Sequence, residues 1–302
     1  MLKHFILIPI LICFLYSGCG DSGSKDSTKD NGDRKVAIST ITIINDIVKN
    51  IGKEKVETHS ICEVGKDPHT YNPKPSDPRL VANSDIVFIN GFALEHWIEE
   101  MISGAGGNKA EVVVTKGITP LTDEKGFGDP DPHAWFDVSN VKVYAENVAK
   151  GLIQIDPENK EYYETNLKEY QLQLDSLDTW IREQINTIPE SRRILITSHD
   201  AFRYFGRAYG LEVKGLQGIS TEAKIRTEDL KNLIDYIKLR DLRSVFIETS
   251  VNPKLLEQIS SETNAEIGGT LYSDSIGNEE TPEGTYIGAV RHNVNTIVNA
   301  LK

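Results

Sequence analysis

The chain has 302 residues, 39% of them hydrophobic and 26% charged, enough for a sizeable core and for two domains. Its formal net charge is −12, with a sequence pI near 5.1. That balance argues against nucleic acid as a partner, because such binding needs clustered Lys and Arg.

In chain order, Met1 to His4 gives a short positive start, and Phe5 to Tyr16 is an unbroken apolar run. The run is too short for a permanent membrane span and has the length of a signal-peptide core. Ser17-Gly18-Cys19 follows, a small-residue approach to a cysteine, so residues 1–18 are expected to be removed and Cys19 to be lipidated. Plain secretion with an incidental Cys19 is the alternative. Residues 19–34 contain Asp21 to Arg34, a stretch without apolar side chains that reads as a flexible tether.

Residues 35–156 carry the first alternation of strands and helices. Lys35–Ser39, Val56–Ile61, Ile86–Asn90 and Glu111–Thr115 are predicted strands, and Ile41–Ile51 and Glu95–Ser103 predicted helices. Residues 157–188 form a linking helix. Within Asn159–Asn186, Leu167, Tyr170, Leu174, Leu177, Ile181 and Ile185 make one apolar stripe on a rod about 40 Å long. Residues 189–302 repeat the alternation, with strands at Ile194–Thr197, Glu212–Gly215, Ser244–Glu248 and Glu266–Ile267. Helices are predicted at Phe202–Tyr209, Thr227–Leu239, Pro253–Thr263 and Thr285–Leu301. The expected fold is α/β: two lobes with mainly parallel sheets, joined by one long rigid helix.

Of the seven histidines, three stand in unusual settings. His69 and His133 each occupy a D-P-H-x-aromatic frame, Asp67-Pro68-His69-Thr70-Tyr71 and Asp131-Pro132-His133-Ala134-Trp135. Proline fixes its own φ and extends the residue before it, so each frame presents an imidazole from a stiffened loop. Each aspartate two positions upstream is placed to support the loop or orient the ring. His199 follows the predicted strand that ends at Thr197, where ligands bind in parallel sheets. Asp274 lies in a loop after the last predicted strand.

Facing each other across a cleft, His69, His133, His199 and Asp274 would make a three-imidazole, one-carboxylate site for one Zn2+ or Mn2+. Four protein ligands leave little room for a substrate, and H-E-x-x-H and G-x-S-x-G are absent, so capture rather than catalysis is expected. His59, His96 and His292 read as structural or surface residues, and Glu248 as a minor candidate behind the ligands. Cys62, without a partner in the mature chain, reads as a small buried hydrophobe. The rival functions are a zinc hydrolase with Asp274 or Asp200 as base, and a surface adhesin with a structural metal.

DPHTYNPKPSD, DPHAWFD, SHDAFRYF and LYSDS, in that order, resemble the ligand segments of the metal-binding lipoproteins of ABC transporters, the cluster A-I solute-binding proteins for zinc and manganese. The resemblance runs from about Arg34 to the C-terminus. It implies a metal site at the lobe interface with His69, His133, His199 and Asp274 as ligands, and the metal as cargo. It also implies delivery to the membrane permease of an importer and an extracytoplasmic place at the membrane or cell surface; a monomer is expected. His199 at the third ligand position favours zinc, whereas the loop Leu121–Asp131 lacks the histidines of many zinc-dedicated members.

Overall fold

The computed structural model describes residues 34–106, 109–122 and 129–302. The expected signal segment, Cys19 and all of the tether but Arg34 lie outside the described residues. Arg34–Lys302 forms one compact unit.

The first sheet is built from β1 (Lys35–Ile41), β2 (Val56–Cys62), β3 (Ile86–Ile89) and β4 (Ala110–Val113), all parallel, in the order β2-β1-β3-β4. Its helices are α1 (Thr42–Gly52), α2 (Asp77–Asn83), α3 (Ile98–Gly104) and α4 (Val138–Ile155). Then comes α5 (Lys160–Ile185), whose 26 residues make a rod of about 39 Å. The second sheet contains β5 (Ile194–His199), β6 (Glu212–Gln217), β7 (Ser244–Glu248) and β8 (Glu266–Leu271), again parallel, in the order β6-β5-β7-β8. Around it lie α6 (Arg203–Tyr209), α7 (Thr227–Leu239), α8 (Lys254–Glu262) and α9 (Tyr286–Leu301).

Two expectations need correction. Glu95–Ser103 is not helical from its start; α3 begins at Ile98, and Glu95 turns inward instead. His199 does not follow its strand but is the last residue of β5. Sequence reasoning also missed α2 and α4. For α4 the signals are present: Asp137 accepts from Ser139 N–H as an N-cap, and Val141, Tyr144, Ala145, Val148 and Leu152 are buried at helical spacing.

Side-chain alternation along the strands explains the layers. Ala37 and Ile41 of β1, with Ile86 and Phe88 of β3, face α1 and α4, whereas Ile38, Val87 and Ile89 face α2 and α3. Leu195 and Phe246 likewise face inward, while Ile196 and Val245 face α7 and α8. The inward faces of both sheets share one continuous core with α1, α4, α5, α6 and α9. Tyr163, Tyr170, Leu174, Leu177, Ile181 and Ile185 supply the stripe of α5 in that core. Gly151 lets α4 lie against the sheet, since a Cβ there would stand 2.8 Å from Val112 Cγ2 and 2.9 Å from Phe88 Cε1. Cys62 belongs to the same core, and burial pushes its thiol up to about 12, so it is inert at neutral pH.

Hydrogen bonds reinforce the junction between the halves. Tyr286 N–H donates to Asp46 Oδ2 at 2.9 Å, Ile276 N–H to Thr42 Oγ1 at 3.1 Å, and Tyr286 O–H to the Trp135 carbonyl at 2.7 Å. Asp46 is buried, and burial raises its pKa to about 6 despite the Tyr286 hydrogen bond and nearby Lys49. A carboxyl raised in this way favours folding while protonated and loses that contribution as pH rises from about 4 through 6, by about 3 kcal/mol in all. Asp46→Asn keeps an oxygen acceptor for Tyr286. Denaturant titrations should therefore show the variant gaining on the parent across this window and holding a constant advantage above it. A difference that does not change with pH would refute the assignment.

Candidate metal centre

Each functional side chain stands at the C-terminal end of a parallel strand or in the loop that follows one. His69 follows β2, His133 follows β4, His199 ends β5 and Asp274 follows β8. These are the strand ends where such sheets bind ligands. The fold brings all four together with their donor atoms within 4.8 Å of one another. His133, His199 and Asp274 are fully enclosed and His69 nearly so.

His133 Nε2 lies 3.2 Å from His69 Nε2 and 3.3 Å from His199 Nε2. Asp274 Oδ1 is 3.4 Å from His133 Nε2, and Oδ2 is 3.6 Å from His199 Nε2. Four donors placed tetrahedrally at about 2.1 Å around a metal stand about 3.4 Å apart. The three separations measured from His133 Nε2 match that spacing, and the whole set lies within 4.8 Å, a space a transition metal could draw together. Asp274 Oδ2 accepts from Ser250 Oγ at 2.9 Å and from Ser273 Oγ at 3.2 Å, while the buried Oδ1 has no hydrogen-bond partner. Oδ2 is thus held by two serines beside His199, while Oδ1 stands free beside His133.

Two of the three rings are backed by carboxylates. Asp131 Oδ1 lies 2.8 Å from His133 Nδ1 and accepts the His133 N–H at 3.0 Å. Glu248, at the end of β7, places Oε2 2.7 Å from His199 Nδ1 and accepts the His199 N–H on Oε1 at 2.9 Å. A carboxylate behind an imidazole holds the proton on Nδ1 and leaves the Nε2 lone pair for a metal. Asp131 is itself steadied by Arg203, at 3.6 Å. Asp67 acts differently from its counterpart in the other D-P-H frame. It accepts from His69 N–H at 2.9 Å and from Thr221 Oγ1, across the cleft, at 2.5 Å.

Electrostatics separate the rings. Burial lowers His69 to about 3, so its imidazole is neutral. Burial also opposes a proton on His133 and His199, but Asp131 and Asp274 outweigh it at His133, and Glu248 and Asp274 at His199, so both are raised. Asp274 is held well below the usual carboxylate range, because His199 and His133 overcome its burial. The group is built to hold positive charge.

Of the remaining histidines, His96 lies on a cavity shared with His69, while the other two described ones lie apart. His59 pairs with Glu57 at 3.0 Å on β2, and His292 on α9 contacts the Thr270 carbonyl at 3.1 Å. Glu248 is the residue that sequence reasoning underrated, and its position at the end of a buried strand was the available signal. Replacing Glu248 by Gln removes the anionic partner of His199 while keeping the shape. Competition with a metal-sensitive chelator should show affinity reduced about 10- to 100-fold with one ion still bound per chain. Unchanged affinity would show that Glu248 does not tune the site.

Residues 38–300 match the family described as zinc-uptake complex component A, periplasmic (ZnuA). The chain is 38% identical to the zinc-binding protein TroA of Treponema pallidum over 309 residues, covering 100% of this chain and 99% of that one. It is 33% identical over 300 residues to the manganese-binding lipoprotein MntA of Halalkalibacterium halodurans, covering 98% of each. The solved structure of the periplasmic zinc-binding protein TroA superposes with a TM-score of 0.85 at 37% identity, covering 89% of this chain and 99% of that one. A manganese-bound periplasmic metal-binding protein of Candidatus Liberibacter asiaticus gives 0.81 at 28%, covering 89% of this chain and 100% of that one. With the fold and the match both spanning the ordered chain, this protein belongs to the ZnuA family of metal-binding, substrate-binding components of ABC transporters.

Proposed function

We propose that the chain captures one zinc or manganese ion outside the cytoplasm, through His69, His133, His199 and Asp274, and hands it to the permease of an ABC importer. The observation that carries this reading is the convergence of three imidazoles and one unbonded carboxylate oxygen within 4.8 Å of one another in a buried space. Four protein donors favour capture over turnover, because a catalytic zinc keeps a position open. Relatives named for manganese and for zinc both match along nearly the whole chain. Three imidazoles favour zinc, and the Irving–Williams order makes zinc the tighter ligand in vitro.

The hydrolase alternative would have to take its base from the metal's own donor set. Asp200 turns towards Arg203, at 3.8 Å, and Asp274 is engaged by two serines. The adhesin alternative gains nothing from the relatives, whose names describe metal binding and transport. Among the described residues no helix is long and apolar enough to cross a membrane. The proposed attachment is a lipid on Cys19, with residues 19–34 as tether, residues 35–156 and 189–302 as lobes and residues 157–188 as their rigid link. The working form is a monomer.

Elemental analysis of the soluble chain from Asp21, dialysed against equal zinc and manganese, should give about one metal per chain and name the preferred ion. His133→Ala should lose it. An unloaded parent, or a variant that retains its metal, would defeat the four-ligand reading. Cys19→Ser should move the protein from the membrane fraction to the soluble one. If the variant stays with the membrane, anchoring does not depend on this cysteine.

A further inference from the structure

Beside the four ligands lies a cavity of about 300 Å³ whose wall includes His69 itself. Its rim carries three further metal-binding types of side chain from separate segments: His96, Asp129 and Glu222. All three are exposed, and none makes a side-chain hydrogen bond or ion pair among the described residues. The cavity spans the cleft, with His96 and Asp129 from the first half and Glu222 from the second. Six waters at about 30 Å³ each occupy about 180 Å³, so a hydrated divalent ion fits inside.

The position suits entry. His133 and His199 are sealed by the shared core and by the carboxylates behind them, whereas His69 has no carboxylate behind its ring and forms part of the cavity wall. Next to Glu222, Thr221 Oγ1 donates to Asp67 across the cleft. The facing rim, Phe92 and Ala93, is held in left-handed conformations at φ 53° and 59°, with Glu95 accepting the Asn90 and Gly91 N–H groups at 2.6 and 3.1 Å beneath it. Glu95 thus pins the backbone that leads into this ledge.

We propose that this cavity is the metal's port, and that His96, Asp129 and Glu222 form a transit site where a hydrated divalent cation docks before His69 draws it inward. The inference rests on the capture function above and adds a route to it. A site on the path lowers the barrier in both directions and leaves the end states unchanged. Removing it therefore slows loading and release together without altering equilibrium affinity.

The test uses the full-length chain in detergent, with zinc chloride alone as the probe. Loading is followed by stopped-flow fluorescence of Trp135, whose ring lies 5.3 Å from that of His133. The triple variant His96→Ala, Asp129→Asn, Glu222→Gln should load about tenfold more slowly and release more slowly by the same factor, with Kd within about twofold of the parent. A control, Glu158→Gln with Glu161→Gln, removes two carboxylates at the start of α5, near Glu54 at the far end of the first half, and should load at the parental rate. Parental loading by the triple variant would overturn the port, as would equal slowing of the control, which would mean a general field. A raised Kd at an unchanged loading rate would also overturn it, placing these residues in the resident site. A parent chain that binds no zinc would instead count against the capture function.

Discussion

Three imidazole nitrogens and a carboxylate gathered within 4.8 Å of one another, away from water, are an arrangement that does not hold itself together. Lone pairs brought that close repel unless positive charge stands between them, and burial denies them the solvent that would otherwise screen the repulsion. The surrounding structure is organised around enforcing this convergence. It does so by placing the four donors on strand ends and stiff loops, and by making those strands part of a core that does not end at the boundary between the sheets.

The shared core sets what kind of movement the molecule permits. Where α1, α4, α5 and α9 meet, apolar packing is continuous and crossed by buried hydrogen bonds such as Asp46 to Tyr286. On the side of the Asp67–Thr221 hydrogen bond, the halves flank a cavity lined by both apolar and polar side chains.

The support behind the ligands is uneven in a way that matches this geometry. His133 and His199, deepest in the core, each have a carboxylate oxygen close to Nδ1, and the Asp131 hydrogen bond fixes the tautomer of His133. His69, nearest the mouth, has only a backbone contact from Asp67 and a ring kept neutral by burial. A firmly held inner pair and a lightly held outer ligand suit a site that must both grip and release its ion.

Much of this was legible along the chain, because the signals are local. Strand and helix alternation, the stripe on α5, the stiffening of each D-P-H frame and the placement of His199 at a strand end depend on neighbours within a few residues, and the fold agrees with them. The helix α4 was equally legible in its cap and apolar spacing but went unread. Other features depended on distance. Glu248 reaches His199 across 49 positions, Thr221 reaches Asp67 across 154, and the two D-P-H aspartates, identical in their frames, take different roles because one faces an enclosed ring and the other the cleft. The sequence by itself determined which side chains were capable of holding a metal. Tertiary packing decided which carboxylates stand behind them and which ligand meets the outside, because those contacts exist only once separate strands lie side by side.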